Sequence, residues 1–174
     1  MSAPSSAARA LAVHLTDIAD VVDSIDVATY RRTREDRVSG SVGAHVRHVL
    51  DHVTALIEPA ADGLVDYDSR RRQTLVEHHQ ATAITELRRL AFGLCLLRNA
   101  DERKPCRLSA VVSADGRRFE TPTMFGRELV FVLSHTVHHQ AIIALLLATE
   151  GRRTPTRFGL APSTPTLESC AQSA

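Results

Sequence analysis

The sequence predicts an all-α chain: a four-helix bundle with a short β-hairpin before the last helix. Three observations carry that expectation. Apolar residues recur at helical spacing in four long stretches. The period changes to short alternation around Asp115-Gly116, a pair suited to a hairpin turn. The 174 residues show no internal repeat, and the length suits one domain able to bury a real core.

Each element follows from local signals. Residues 6–28 place Leu11, Leu15, Ile18, Val22 and Ile25 on one helical face. The polar connection 33–43 offers Ser39 or Ser41 as N-cap of a second helix, "VGAHVRHVLDHVTALIEPAA". That helix carries Val42, Val46, Val49, Val53 and Leu56 near one face, and Pro59 marks its end. Residues 62–74 read as a loop. "LVEHHQATAITELRRLAFGLCLLRNA" is a third helix, with Leu87, Leu90, Leu94 and Leu97 toward the core. After the hairpin, Thr121 or Thr123 caps the fourth helix, which runs to about Glu150 and stops at Gly151. The domain is therefore expected over 1–151. Residues 152–174, rich in Pro, Ser and Thr, are either a disordered tail or a strap lying on the bundle.

Composition excludes several classes. The 21 basic and 20 acidic residues nearly cancel, which argues against a basic nucleic-acid face. Cys95, Cys106 and Cys170 are odd in number and widely spaced, as expected of free thiols in a reducing cytosol. The N-terminus lacks the charged and apolar regions of a signal peptide. Residues 129–148 are long enough to cross a bilayer, but Ser134, three histidines and Gln140 at the centre oppose a membrane span. A soluble cytoplasmic protein is expected.

The histidines carry the chemistry. His135 and His139 are four apart, so they stack on one helix face and can share a metal ion. Two neutral imidazoles hold a divalent ion weakly, and a third ligand must come from elsewhere. His45, His48 and His52 form a stripe on the second helix and offer it. A three-His site with open positions suits Zn²⁺, Ni²⁺ or Fe²⁺. The plainer alternative is a set of hydrogen-bonded core histidines. His138 points away from the pair, His78 and His79 read as a solvated helix end, and His14 stays open.

Neighbouring residues have two readings each. Glu128, seven residues before His135, is either a base or acceptor near the site, or a first-turn acid favoured by the helix dipole. Asp51 orients an imidazole or pairs with Arg47. Arg127 anchors an anionic substrate or pairs at the surface. "YDSRRRQ" is a basic loop, solvated or fitted to a carboxylate- or phosphate-bearing cofactor. Cys106, among Arg103, Lys104 and Arg107, is the least inert thiol by local charge.

"SVGAHVRHVLDH" together with "GRELVFVLSHTVHHQAIIALLL" resembles the DinB-like superfamily, which includes the YfiT-type proteins and thiol-dependent transferases and isomerases. The resemblance implies a four-helix bundle of the DinB/YfiT type with a three-His metal site. It selects His48, by its spacing from Ser41, over the alternates His45 and His52, and sets His135 and His139 in the paired positions. It further implies a metal-dependent enzyme, with Zn²⁺ first and Ni²⁺ or Fe²⁺ open, that activates water or a low-molecular-weight thiol. The expected substrate is a small molecule, and the expected assembly a homodimer. Two features depart from the family: His139 is followed by Gln140-Ala141 where members often have Arg-Gly-Gln, and the "FGLAPST" tail lies outside the family core. A rival expectation is a non-catalytic or stress-associated bundle with a structural metal. The absence of Glu-x-x-His speaks against a di-iron bundle.

Overall fold

A computed structural model describes residues 3–33, 40–59, 63–69 and 75–164. It corrects the predicted class. The described residues form α1 (Ser6–Asp23), α2 (Val27–Arg31), α3 (Val42–Ile57), α4 (Leu75–His78), α5 (Gln80–Cys95) and α6 (Phe125–Ala148). They also form β1 (Leu64–Asp66), β2 (Pro105–Val111) and β3 (Arg118–Met124), with a 3₁₀ turn at Asp101–Arg103. Six helices and a three-stranded mixed sheet make this a mixed α/β architecture, not an all-α four-helix bundle.

Two of the predicted helices break. The first ends at Asp23, where the Ser24 amide donates back to Asp20 and Val21. The Asp26 carboxylate then accepts the Thr29 amide at 2.8 Å and starts α2 afresh. The third divides at His79, and there the cause is tertiary. A Cβ on Gly43 would lie 2.2 Å from the Glu77 carbonyl oxygen and 2.9 Å from the Tyr30 ring, so only glycine lets α4 approach α3 this closely. The Tyr30 hydroxyl donates to the Val76 carbonyl at 2.6 Å, and the Gln80 amide donates to the carbonyls of Val22 and Ile25. These bonds hold α4 and the start of α5 against α1, α2 and α3.

The sheet order is β1-β2-β3. β2 and β3 are the predicted hairpin, antiparallel from Pro105↔Met124 to Val111↔Arg118. Its turn is wider than the predicted two-residue one, closed by Val112 N donating to Arg117 O at 2.8 Å and Gly116 N to Ser113 O at 3.1 Å. β1 comes from the stretch read as a loop. It pairs parallel to β2 as Leu64↔Arg107, Val65↔Leu108 and Asp66↔Ser109. Three residues are too few to show a period, which is why the strand escapes a sequence reading. Arg118 ties the sheet across its width, bridging Asp66 and donating to the Ser109 hydroxyl.

Ser41 caps α3, accepting the Ala44 amide at 3.1 Å, while Ser39 falls outside the described residues. α6 begins directly after β3 with Met124 at the N-cap, so Thr121 and Thr123 are strand residues rather than caps. The Thr123 hydroxyl instead donates to Glu128 at 2.8 Å. Among the described residues α6 alone is long and apolar enough to cross a membrane. It packs as a core helix against α1 and α3, burying Leu129, Val132, Ile143 and Leu147 beside Gln140. Gln140 replaces water for His14: its Oε1 meets His14 Nδ1 at 2.9 Å, and its Nε2 donates to the His14 carbonyl at 3.0 Å.

Residues 152–164 lie back on this core as a strap, and residues 165–174, with Cys170, fall outside the described residues. Phe158 is buried in the core, and Gly159 sits against α6 with φ +79°. A Cβ there would stand 2.6 Å from the Ala141 backbone. Gly159→Ala is therefore expected to lift the strap, since left-handed strain of about 1–2 kcal/mol adds to a backbone clash. Tryptic cleavage at the exposed Arg157 should accelerate by roughly tenfold or more. An unchanged cleavage rate would show that the strap does not depend on this contact.

Candidate metal centre

α3 and α6 pack together, and their histidine stripes face each other. The valines of α3 at 46, 49 and 53 take the buried core positions, which turns His45, His48 and His52 toward α6. There the rings of His48, His135 and His139 stand 5.0, 4.6 and 4.6 Å apart, centroid to centroid. Their planes cross at 64°, 70° and 73°, close to a threefold, three-bladed arrangement.

That spacing can be tested against metal chemistry. With metal–nitrogen bonds of about 2.0–2.1 Å, ring centroids lie about 3.2 Å from the ion and about 4.5–5.2 Å from one another. The predicted set His48, His135 and His139 meets this spacing as rings. By ligand nitrogens the set that gathers within 4.8 Å is instead His48, His52 and His135, with the alternate His52 in place of the predicted His139. His52 is 4.4 Å from His48 and 4.1 Å from His135 by centroid, with the latter pair only 29° from parallel. Four imidazoles thus form two triangles sharing the His48–His135 edge. The donor set fits a divalent ion of the zinc, nickel or iron type.

Outer partners orient these rings. His45 lies behind His139, with the two Nδ1 atoms 3.0 Å apart. One of these nitrogens must donate and the other accept. If His139 donates, its Nε2 lone pair is left for a ligand role, the arrangement common behind metal-bound imidazoles. His52 Nδ1 meets the His48 carbonyl at 3.0 Å. A carbonyl only accepts, so that nitrogen carries the proton and the neutral ring bears its lone pair on Nε2. His138 is exposed at the rim, 5.3 Å from the His139 ring.

Burial first, and then the imidazoles of His135, His48, His45 and His138, push His139 down to about 2 from its usual 6.5. The folded state therefore keeps this ring neutral, while the unfolded chain protonates it below pH 6.5. Below that pH the unfolded state binds the extra proton, so stability falls as pH falls. The loss is about 1.4 kcal/mol per pH unit, or about 2 kcal/mol at pH 5. Urea unfolding of metal-free protein at pH 7.5 and 5.0 checks this; equal midpoints would contradict it.

Glu128 is fully buried and lies off the ring cluster. Its Oε2 accepts from the Tyr67 hydroxyl at 2.9 Å, and its Oε1 from the Thr123 hydroxyl at 2.8 Å and Arg127 at 2.9 Å. Burial, and then the Glu128 charge and hydrogen bond, raise the Tyr67 hydroxyl far above its usual range, so it stays a donor. The Tyr67 ring stacks on His52 at 5.1 Å and 8°, and meets Phe131 at 5.2 Å. Glu128 thus reaches the histidines only through a stacked tyrosine. Arg127, offered as an anchor for anions, pairs with Glu128 and covers the Phe131 ring at 5.6 Å.

Asp51 accepts from Arg47 at 3.1 Å, and Arg47 also binds Glu77 at 2.8 Å. Asp51 lines a cavity of about 750 Å³ with Leu50, Thr54, Glu58 and Arg89, which contains none of the histidines. Cys106 does not keep the activation that its basic neighbours in sequence suggested: burial and then the Glu128 charge raise its thiol. His78 and His79 are exposed, as predicted for a helix end. Within the basic loop, residues 70–73 fall outside the described residues. Tyr67 is the site residue that sequence reasoning missed. It follows a strand too short to signal itself, and nothing in its local pattern points at His52.

No family model matches the chain. It is similar to FK506-binding protein 5 of Rhizopus delemar, at 30% identity over 102 residues, which is 58% of this chain and 26% of that protein. The chain thus spans about a quarter of the length of that curated relative.

Proposed function

We propose that this chain is a metal-dependent enzyme of the DinB-like superfamily, acting in the cytoplasm on a small molecule. A divalent ion, Zn²⁺ before Ni²⁺ or Fe²⁺, is held by His48 and His135 with His139 as the third ligand. The observation that carries the reading is the near-threefold packing of these three imidazoles at metal-centre spacing. When bound, such an ion supplies Lewis acidity that makes a water or a low-molecular-weight thiol a better nucleophile. The chain's own residues do the rest. His45 fixes the His139 ring through Nδ1, Tyr67 and Phe131 wall the site with aromatic surface, and His138 stands at its rim. His48 and His135 are half-buried and the exposed His138 stands beside His135, which favours turnover over a sealed structural ion.

The test is metal analysis of protein purified without a His tag, followed by thiol-transfer and hydrolase panels with and without chelator. One ion per chain and a chelator-sensitive turnover are the expected results. Chelation that lowers the melting temperature while no substrate turns over would favour the structural-metal reading.

A further inference from the structure

We infer that His52 is a fourth ligand of the centre, an imidazole that closes the open coordination position until an incoming ligand displaces it. The inference rests on the metal reading above and concerns which residues complete the same site.

Three observations converge. A ligand nitrogen of His52 lies within 4.8 Å of those of both His48 and His135, the edge shared by the two triangles. The proton on Nδ1 is committed to the His48 carbonyl at 3.0 Å, which puts the lone pair on Nε2. The ring is buried and held from behind by Tyr67, stacked at 5.1 Å and only 8° from parallel. An ion seated on the shared His48–His135 edge would therefore meet the His52 imidazole as well as that of His139.

The same geometry makes His52 the weakest of the four. Its ring lies 29° from parallel with that of His135, whereas the other three rings cross one another at 64° to 73°. Rings that share one ion stand about 4.5–5.2 Å apart. His52 lies closer than that to both His48 and His135, at 4.4 and 4.1 Å, which makes it the most crowded of the four. A ligand held that way yields to a small anion or thiol. The site is closed at rest and opened by the molecule it acts on.

Cobalt reports this without any turnover assay. Metal-free wild type, His52→Phe and His52→Gln are each titrated with Co²⁺, followed by its visible absorption, and then challenged with azide. His52→Phe keeps an aromatic ring on Tyr67, and circular dichroism confirms that at least one variant is folded. The expected result is a wild-type cobalt band that azide shifts only at high concentration, because His52 must first be displaced. The variants should bind Co²⁺ about tenfold more weakly, with bands that shift at about tenfold lower azide. Wild-type affinity and an unchanged azide response in a folded variant overturn the inference and leave the three-His reading standing. A wild type that binds no stoichiometric Co²⁺ overturns both.

Discussion

His135→Ala is expected to empty the centre. Its ring belongs to both triangles, within 5.0 Å of His48, 4.6 Å of His139 and 4.1 Å of His52, so no remaining trio replaces it. Metal content should fall from about one ion per chain to less than about a tenth, because both triangles lose a corner and the remaining His52 and His139 rings make no contact with each other. The second consequence is thermodynamic. An ion present at a hundred times its dissociation constant stabilises the fold by about 2.7 kcal/mol. Chelator should therefore lower the melting temperature of wild type and leave that of His135→Ala unmoved. His78→Ala, exposed at the end of α4, is the control that keeps its metal. Full metal retention in His135→Ala would remove His135 from the centre.

That prediction needs only what the sequence displays, since the four-residue spacing of His135 and His139 is a helical fact. The choice among His45, His48 and His52 is different. All three lie on one stripe, and spacing cannot say how far each reaches across to α6. The packed structure separates them: His48 and His52 enter the triangles, and His45 backs His139. The four long helices were legible for the same reason as the histidine pair, because period and caps are local. Asp26 even carries a readable cap signal, the acid three residues before Thr29 that restarts the chain as α2. What was not legible depends on distant partners. The division at His79 reflects Glu77 resting on Gly43, 34 positions earlier. β1 exists because β2, some 40 residues on, supplies its hydrogen bonds. Those two long-range contacts separate the predicted all-α bundle from the mixed fold.

The second large effect falls on Glu128. Its carboxylate is 0% exposed and accepts from two hydroxyls and a guanidinium. Arg127 is largely solvent-exposed, so its pairing is screened and contributes little. The weight lies with Tyr67 and Thr123, whose bonds to a buried charge are worth about 1.5–3 kcal/mol each before relaxation. Glu128→Ala strands the Tyr67 hydroxyl and opens a void between β3 and α6. A loss of about 3 kcal/mol is expected, or roughly 6–12 °C in melting temperature for a chain of this size. Metal content should stay at the wild-type level. Unchanged stability with abolished turnover would instead make Glu128 a base, the other role its position in sequence allows.

Tyr67 has one more consequence. The chain has two tyrosines and no tryptophan, so its intrinsic ultraviolet emission has two sources. Tyr30 is buried with its hydroxyl on the Val76 carbonyl, away from the histidines. Tyr67 lies flat on His52, one ring from the centre. A paramagnetic ion arriving beside that imidazole darkens one lamp and spares the other, so the fold carries its own optical gauge of occupancy.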